Sequence, residues 1–333
     1  MIVLPLSQGL VGPTSTVLRP HVHRMLRRVA HPRVNYAFVM LTATIGLLGA
    51  IVYGAADFLG GLASKRISPV RVTAIAAVSG LVGLLVVLAF GFGRWSVEAV
   101  LWGALSGVSG ALAISLLYAC LAIGPMSILS PLTAVVSAIV PMTWGLTTGD
   151  TFGALGFVAL GLALVAVVLV GFVPEKGAVR PSLRGVLMAI GSGAMIGVFI
   201  ILIDQTPADS GVVPLVMNRS VNAALMFATA LVLWLLSRRR TVGTRPLRTA
   251  PPTSGWRAGL TLAIACGIID ALANTLLLIG IRIGDLSVMG VLTAMYPAGT
   301  ILLAAVVLKE RIAPVQWLGL VLALVAAGML ALA

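Results

Sequence analysis

Long apolar runs, separated by short polar breaks, constrain this chain more than any other feature. Past residue 40 the runs reach spanning length, roughly 20 residues each. Their approximate limits are 41–63, 70–92, 98–121, 126–147, 152–173, 184–204, 211–236, 258–281, 286–308 and 314–333. The chain is 60% hydrophobic and 9% charged, with a mean hydropathy of +1.13. A soluble domain carries roughly 25% charged residues, so these charges cannot cover a water-facing surface. Lipid must be the outer solvent, and every backbone polar group there must be satisfied within a helix. The expected fold is an all-α integral membrane protein with ten transmembrane helices.

The breaks fit that reading. "SKRISP", "GRWSVE", "TTGD", "DQTPADS", "RIGD" and "KERIAP" are short and polar, and the Gly-Pro pair in "AIGP" (122–125) ends a helix without any charge. The tryptophans at 95, 102, 144, 234, 256 and 317 fall mostly near run ends, where an amphipathic indole suits the membrane interface. The net charge of +13 would point to nucleic acid in a soluble protein. Here the basic residues lie between apolar runs, where they set topology and meet lipid headgroups, and no nucleic-acid partner is expected.

Cys120 and Cys266 both sit inside runs and form no disulfide or metal-ligand pattern. His21, His23 and His31 share a basic, proline-bearing segment, residues 1–38, which reads as a disordered leader without the order of a signal peptide. No metal, no cofactor and no catalytic residue is expected. A membrane-embedded transferase would need clustered carboxylates, His or Cys at a membrane face, and the runs offer none.

Sliding the chain on itself by 160 residues places "IGPMSILSPLTA" (123–134) on "IGDLSVMGVLTA" (283–294), and "LALVA" (162–166) on "LALVA" (322–326). About 13 of some 44 positions between 123 and 166 match, against about 4 expected by chance in so biased a composition. The reading is a duplication: 41–173 as a first five-helix repeat, 174–183 as a linker, 184–333 as a second. Five is odd, so the second copy enters from the opposite side and the halves are inverted. Inverted repeats place a substrate site at midplane between them.

The segment "LSVMGVLTAMYPAGTILLAAVVLKERIAPVQWLGLVLALVAAGMLA" (286–331) resembles the C-terminal part of EamA-type transporters of the drug/metabolite transporter superfamily. The matching features are Tyr296-Pro297, Lys309-Glu310-Arg311, Gln316 and Gly319. "YGAADFLGGLASKR" (53–66) resembles the first span of a bacterial branch of that family, while "TTGD" departs from the usual Gly-Glu at its turn. The resemblance implies alternating-access transport of small metabolites or drugs, with efflux, proton coupling and a bacterial inner (plasma) membrane as expectations. A lipid-carrier flippase or a non-catalytic membrane subunit would share the fold. The expected partners are a small-molecule substrate, lipid and protons, and the chain is a monomer or homodimer.

Polar groups inside the spans are the default functional candidates. Three charges lie there: Asp57, Arg219 and Asp270. Asp270, near the middle of its run, must face a wet cavity, pair with a cation or hold a proton, and it is the expected proton-coupling group. Arg219 keeps its charge and needs Asp57, Asp270, Asp204 or an anionic substrate group. Asn274 shares a helix face with Asp270, and Tyr53 with Asp57. Tyr118 and Tyr296 add amphipathic rings. Pro297, Pro131 and Pro141 are expected to weaken their helices and free carbonyls. Asn218, Ser220 and Asn222 surround Arg219. Asp57 is expected at a cavity mouth, as a partner for Arg219 or part of a gate. Fourteen basic residues flank one set of run ends and seven the other, the leader included, and this count places both termini outside.

Overall fold

The computed structural model describes residues 36–67, 69–123, 126–171, 182–240, 256–309, 311–330 and 332. The three histidines, Glu310 and nearly all of the basic leader lie outside these. Helix is the only regular structure among the described residues: α1 (Tyr36–Ser64), α2 (Pro69–Ala89), α3 (Val97–Ile123), α4 (Met126–Thr148), α5 (Ala154–Gly171), α6 (Leu183–Asp204), α7 (Val213–Arg240), α8 (Trp256–Ile283), α9 (Leu286–Thr293), α10 (Tyr296–Val307) and α11 (Pro314–Leu330). A short 3-10 turn, Ala208–Ser210, lies between α6 and α7.

Eight helical stretches among the described residues are long and apolar enough to cross a membrane, Leu286–Val307 counting as one through its break. The remaining two runs correspond to α7 and α11. α7 is long, but Asn218, Arg219, Ser220 and Asn222 dilute its apolar character at one end and Arg238 to Arg240 at the other. α11 has 17 residues, about 25 Å at 1.5 Å per residue, slightly less than a bilayer core.

Proline does not act alike in the two places where a weakened helix is expected. Pro297 stands in the first turn of α10, and the ninth run breaks just before it, at Ala294–Met295. α4 instead runs unbroken through Pro131 and Pro141. Glycines on neighbouring helices make room for the two rings: Pro131 packs at Gly171 of α5, and Pro141 at Gly197 of α6 and Gly290 of α9.

The main packed pairs are α1 with α8 and with α9–α10, α2 with α7 and α8, α3 with α6 and α7, α4 with α6 and α9, and α5 with α11. Exchange α1–α5 with α6, α7, α8, α9–α10 and α11, in that order. The pair α1·α8 becomes α6·α3, α2·α8 becomes α7·α3, and α1·α10 becomes α6·α4. The pairs α2·α7, α4·α9 and α5·α11 map onto themselves. Two close approaches obey the same exchange. Gly107 of α3 sits against Asn218 and Val221 of α7, and Gly267 of α8, 160 residues later, sits against Ala76 and Ser79 of α2.

The two ends of the bundle differ. The connections α2–α3, α4–α5, α6–α7 and α8–α9 share one end, here the tight end. Leu84, Ile200, Ile203, Leu215, Leu277, Leu278, Ile281, Leu286 and Met289 form one buried cluster there. The loop before α7 is buried too: Asp204, Gln205, Thr206 and Ser210 are each at most 9% exposed. Arg282, at the end of α8, donates through one terminal nitrogen to Pro207 O (3.3 Å), Ser210 Oγ (2.9 Å) and Gly211 O (2.9 Å). Val212 N donates to Phe92 O at 2.9 Å, and Ser287 N to the Asp150 carboxylate at 3.0 Å.

Candidate functional site

α1 carries the contrast between the ends along its own length. Its exposed stripe is Leu41, Thr44, Leu48 and Ile51, and on a helix of about 100° per residue this is one face, the one turned to lipid. Asp57 follows Leu48 by nine residues, so it stands about 180° round the helix, on the inner face. That inner face is buried at Thr42, Ala43 and Ala50. At Asp57 and Gly61 it is exposed, and a Cβ added at Gly61 would meet nothing within 4 Å. Asp57 is therefore exposed towards the inside of the bundle, in an opening on the side away from the tight end.

The other charged residues converge on the same region. Arg219 of α7 forms an ion pair with Asp270 of α8, and their side chains are only 12% and 26% exposed. Of the three acidic partners open to it on sequence grounds, Arg219 thus takes Asp270 rather than Asp57 or Asp204. Asn274 shares the face of Asp270, as its spacing of four requires, and its amide donates to Asp270 O at 2.8 Å and to the Asp270 carboxylate at 3.4 Å. One intramembrane carboxylate is thereby paired with a cation and held by an amide.

Asp57 has no hydrogen bond or ion pair among the described residues, so its role as a partner for Arg219 is not realised in this arrangement. Its charge acts on Tyr53 of α1, Cys266 of α8 and Tyr296 of α10, and Arg219 acts on Tyr53 and Cys266. Tyr53 Oη and Arg219 Nε are buried without hydrogen-bond partners among the described residues. Five of the seven expected site residues other than Asn274 and Tyr118 thus share one electrostatic neighbourhood: Tyr53, Asp57, Arg219, Asp270 and Tyr296. Tyr118 falls on α3, and its side chain lies outside what the structure describes.

The polar neighbours of Arg219 on α7 do other work. Asn218 donates to Ser106 Oγ of α3 at 2.9 Å, and Ser220 Oγ donates back to Val216 O of its own helix at 2.8 Å. Asn222 is buried on the Asn218 face, towards Gly110 of α3. Asn218 thus joins two helices, Ser220 stays on its own, and neither pairs with Arg219. Three functional contacts were not expected from the sequence. Asp150 and Arg282 stand at run ends, where a charge reads as solvated, yet both bond across the tight end. Cys266 reads as one more small apolar residue. A signal existed only for Asp150, which occupies the turn position where related sequences carry Glu.

Eight helical stretches long and apolar enough to cross a membrane, with a polar centre between helices, define a multi-pass membrane protein. Residues 183–332, from α6 to α11, match the EamA-like transporter family. The second half of the chain is therefore similar to a family of membrane transporters of the drug/metabolite transporter superfamily. One solved crystal structure is similar over 86% of this chain and 95% of its own, at 19% identity and a TM-score of 0.64. At that identity the likeness concerns the fold alone. No match was found among curated proteins.

Proposed function

We propose that this protein is a secondary transporter that moves a small metabolite or drug by alternating access, exchanging it for protons. In this reading residues 41–173 and 184–333 are inverted five-helix repeats joined at 174–183, and the chain crosses the membrane ten times. The observation that carries the reading is the combination of a packing scheme unchanged by exchange of the halves with a difference between the two ends among the described residues: loops are buried at one, and Asp57 and Gly61 are exposed towards the other. A scheme that the exchange leaves unchanged has a second version of equal kind, open where this one is tight. A protein that needed only one state would have no use for that equivalence.

The proton-carrying group in this reading is Asp57 rather than Asp270. Arg219 and Asn274 already balance Asp270, whereas Asp57 has no cation and stands in the opening. Lys65, Arg66, Arg71, Arg184, Arg257, Lys309 and Arg311 flank the open end, against Arg94 and Arg282 at the tight end. The positive-inside rule then turns the open end to the cytoplasm; the membrane is taken to be the plasma membrane, the inner membrane of a bacterium.

Metabolite profiling of cells with and without the protein identifies a candidate substrate. Proteoliposomes loaded with that compound then test the reading. An imposed pH gradient should drive uphill flux, and Asp57→Asn should abolish the pH dependence while exchange of substrate for substrate persists. Flux that ignores the gradient in the native protein would remove the coupling, and profiles that do not differ would remove the transport reading.

A further inference from the structure

A group of cations at the open end takes no part in the polar centre. Trp256 opens α8 and is exposed, and the guanidinium of Arg71, on α2, lies over its ring at 5.6 Å. Arg257 follows on α8 and is exposed. Arg66 comes from the turn after α1, where its amide donates to Ala63 O at 2.9 Å. A Cβ at Gly259 would lie 3.2 Å from Arg66 Cβ, so Arg66 stands against the first turn of α8. Beneath it Ala63, Ile67, Val72 and Ala263 form a buried cluster that fixes α1, α2 and α8 together. Three arginines from three elements thus meet at one indole. Among the described residues no carboxylate pairs with any of them, and like charges gathered without a counter-ion repel one another.

The other half shows that packing does not require this charge. Exchange of the halves carries α8 onto α3 and the α1–α2 turn onto the loop before α7. There Val97 stands 160 residues before Arg257, Glu98 lies in the first turn of α3, and Arg94 pairs with Asp209 at 3.5 Å. The same corner is built there without surplus positive charge.

Further into the membrane both helices turn aliphatic side chains outward. Val78 and Val82 follow Arg71 by 7 and 11 residues, and Ile264 and Ile268 follow Arg257 by the same intervals. At about 100° per residue these spacings return to within about 20° of the starting face, and all four side chains are exposed. Eleven residues are about 16 Å of helix, half of a hydrocarbon core of about 30 Å. Each stripe therefore runs the depth of one leaflet beneath its arginine.

We propose that this corner is a binding site for one anionic phospholipid, its phosphodiester held by Arg66, Arg71 and Arg257 and its acyl chains laid along the stripes of α2 and α8. A guanidinium fork matches paired phosphate oxygens, and an indole suits headgroup depth. A soluble anion would use the arginines alone, whereas the stripes beneath them continue the site over the length of an acyl chain. The site faces lipid, outside the bundle, so it goes beyond the transport reading and stands or falls apart from it.

Native mass spectrometry of the full chain, released from detergent micelles, counts retained lipids directly. The probes are dioleoylphosphatidylglycerol, dioleoylphosphatidylcholine and glycerol phosphate. Each cation near a membrane surface is worth about fivefold in affinity for an anionic lipid, so the first of one retained lipid should be phosphatidylglycerol, bound at least about tenfold more tightly than phosphatidylcholine. Arg71→Gln/Arg257→Gln should lose this preference with far-UV helicity retained, and so should Arg66→Gln/Arg257→Gln. Lys309→Gln/Arg311→Gln, which removes as much charge from the same end, should keep it. The proposal is overturned if neither lipid is retained, if phosphatidylcholine binds as tightly, or if either arginine double variant keeps the preference. Loss of the preference in Lys309→Gln/Arg311→Gln would overturn it in favour of diffuse surface charge. Displacement of phosphatidylglycerol by an equal concentration of glycerol phosphate would overturn it in favour of a free-anion site.

Discussion

Replacing Arg219 by methionine should destabilise the protein far more than replacing Asp270 by asparagine, although the two residues form one ion pair. Removing one partner of a buried pair costs about 3–5 kcal/mol, because the other charge is left without compensation. Both side chains are more than two-thirds buried, so Arg219→Met should fall near the middle of that range, at about 4 kcal/mol. It strands Asp270 and leaves two carboxylates, Asp57 and Asp270, with no cation between them. Asp270→Asn strands only a guanidinium, and Asp57 is within electrostatic reach of the same Tyr53 and Cys266 on which Arg219 acts. Arg219 can then turn to Asp57, and the cost should drop to about 1–2 kcal/mol. The double variant Asp57→Asn/Asp270→Asn removes that refuge and should return to about 4 kcal/mol. Equilibrium unfolding in mixed micelles, followed by far-UV circular dichroism, measures all three. The pH dependence has a definite sign. The Arg219→Met penalty should shrink as pH falls, because protonation discharges the stranded carboxylates; the double variant should show no such relief. An Asp270→Asn cost equal to that of Arg219→Met, or a double variant no worse than Asp270→Asn, would refute the claim that Asp57 is the unpaired third charge.

Four further variants test the frame around the site. A Cβ at Gly54 would lie 2.5 Å from Tyr296 O and Thr300 N, backbone atoms that cannot turn aside, so Gly54→Ala should cost at least about 2 kcal/mol. Gly61→Ala, with nothing within 4 Å, should be neutral in the same unfolding assay. Arg282→Ala removes three hydrogen bonds to the 207–211 loop; labelling of a Ser210→Cys reporter, 1% exposed in the native residue, should rise several-fold. Asp150→Asn weakens a carboxylate cap on the first turn of α9 and should cost about 0.5–2 kcal/mol.

Much of this architecture is legible in the sequence because lipid simplifies the code. An apolar run of spanning length has to be a helix, so the element limits follow from hydropathy, and the spacing of four that joins Asp270 to Asn274 follows from helix geometry. Packing is less accessible. Arg219 had three acidic residues to choose among, and only the crossing of α7 with α8 selects Asp270. Pro131 and Pro141 read as helix breakers, yet glycines on three other helices accommodate their rings. Asp150 and Arg282 look solvated because they stand at run ends, and their burial depends on loops folding back over the bundle. The exposure of Asp57 agrees with the cavity-mouth position expected for it, but which end of the bundle closes is not legible in the sequence. It depends on which end of the bundle the aliphatic side chains fill, and hydropathy along a run does not say.

In the proposed transport cycle, access passes from one end of the bundle to the other. Its most direct measurement is maleimide labelling of two single-cysteine variants, Gly61→Cys near the open end and Leu215→Cys in the buried cluster at the tight end, with Cys120 and Cys266 replaced. Gly61→Cys should react and Leu215→Cys should not in the resting protein, and a transported substrate under a pH gradient should raise the second reactivity as it lowers the first. Simultaneous reactivity at both positions, or a Leu215→Cys that stays silent under every condition that drives flux, would contradict it.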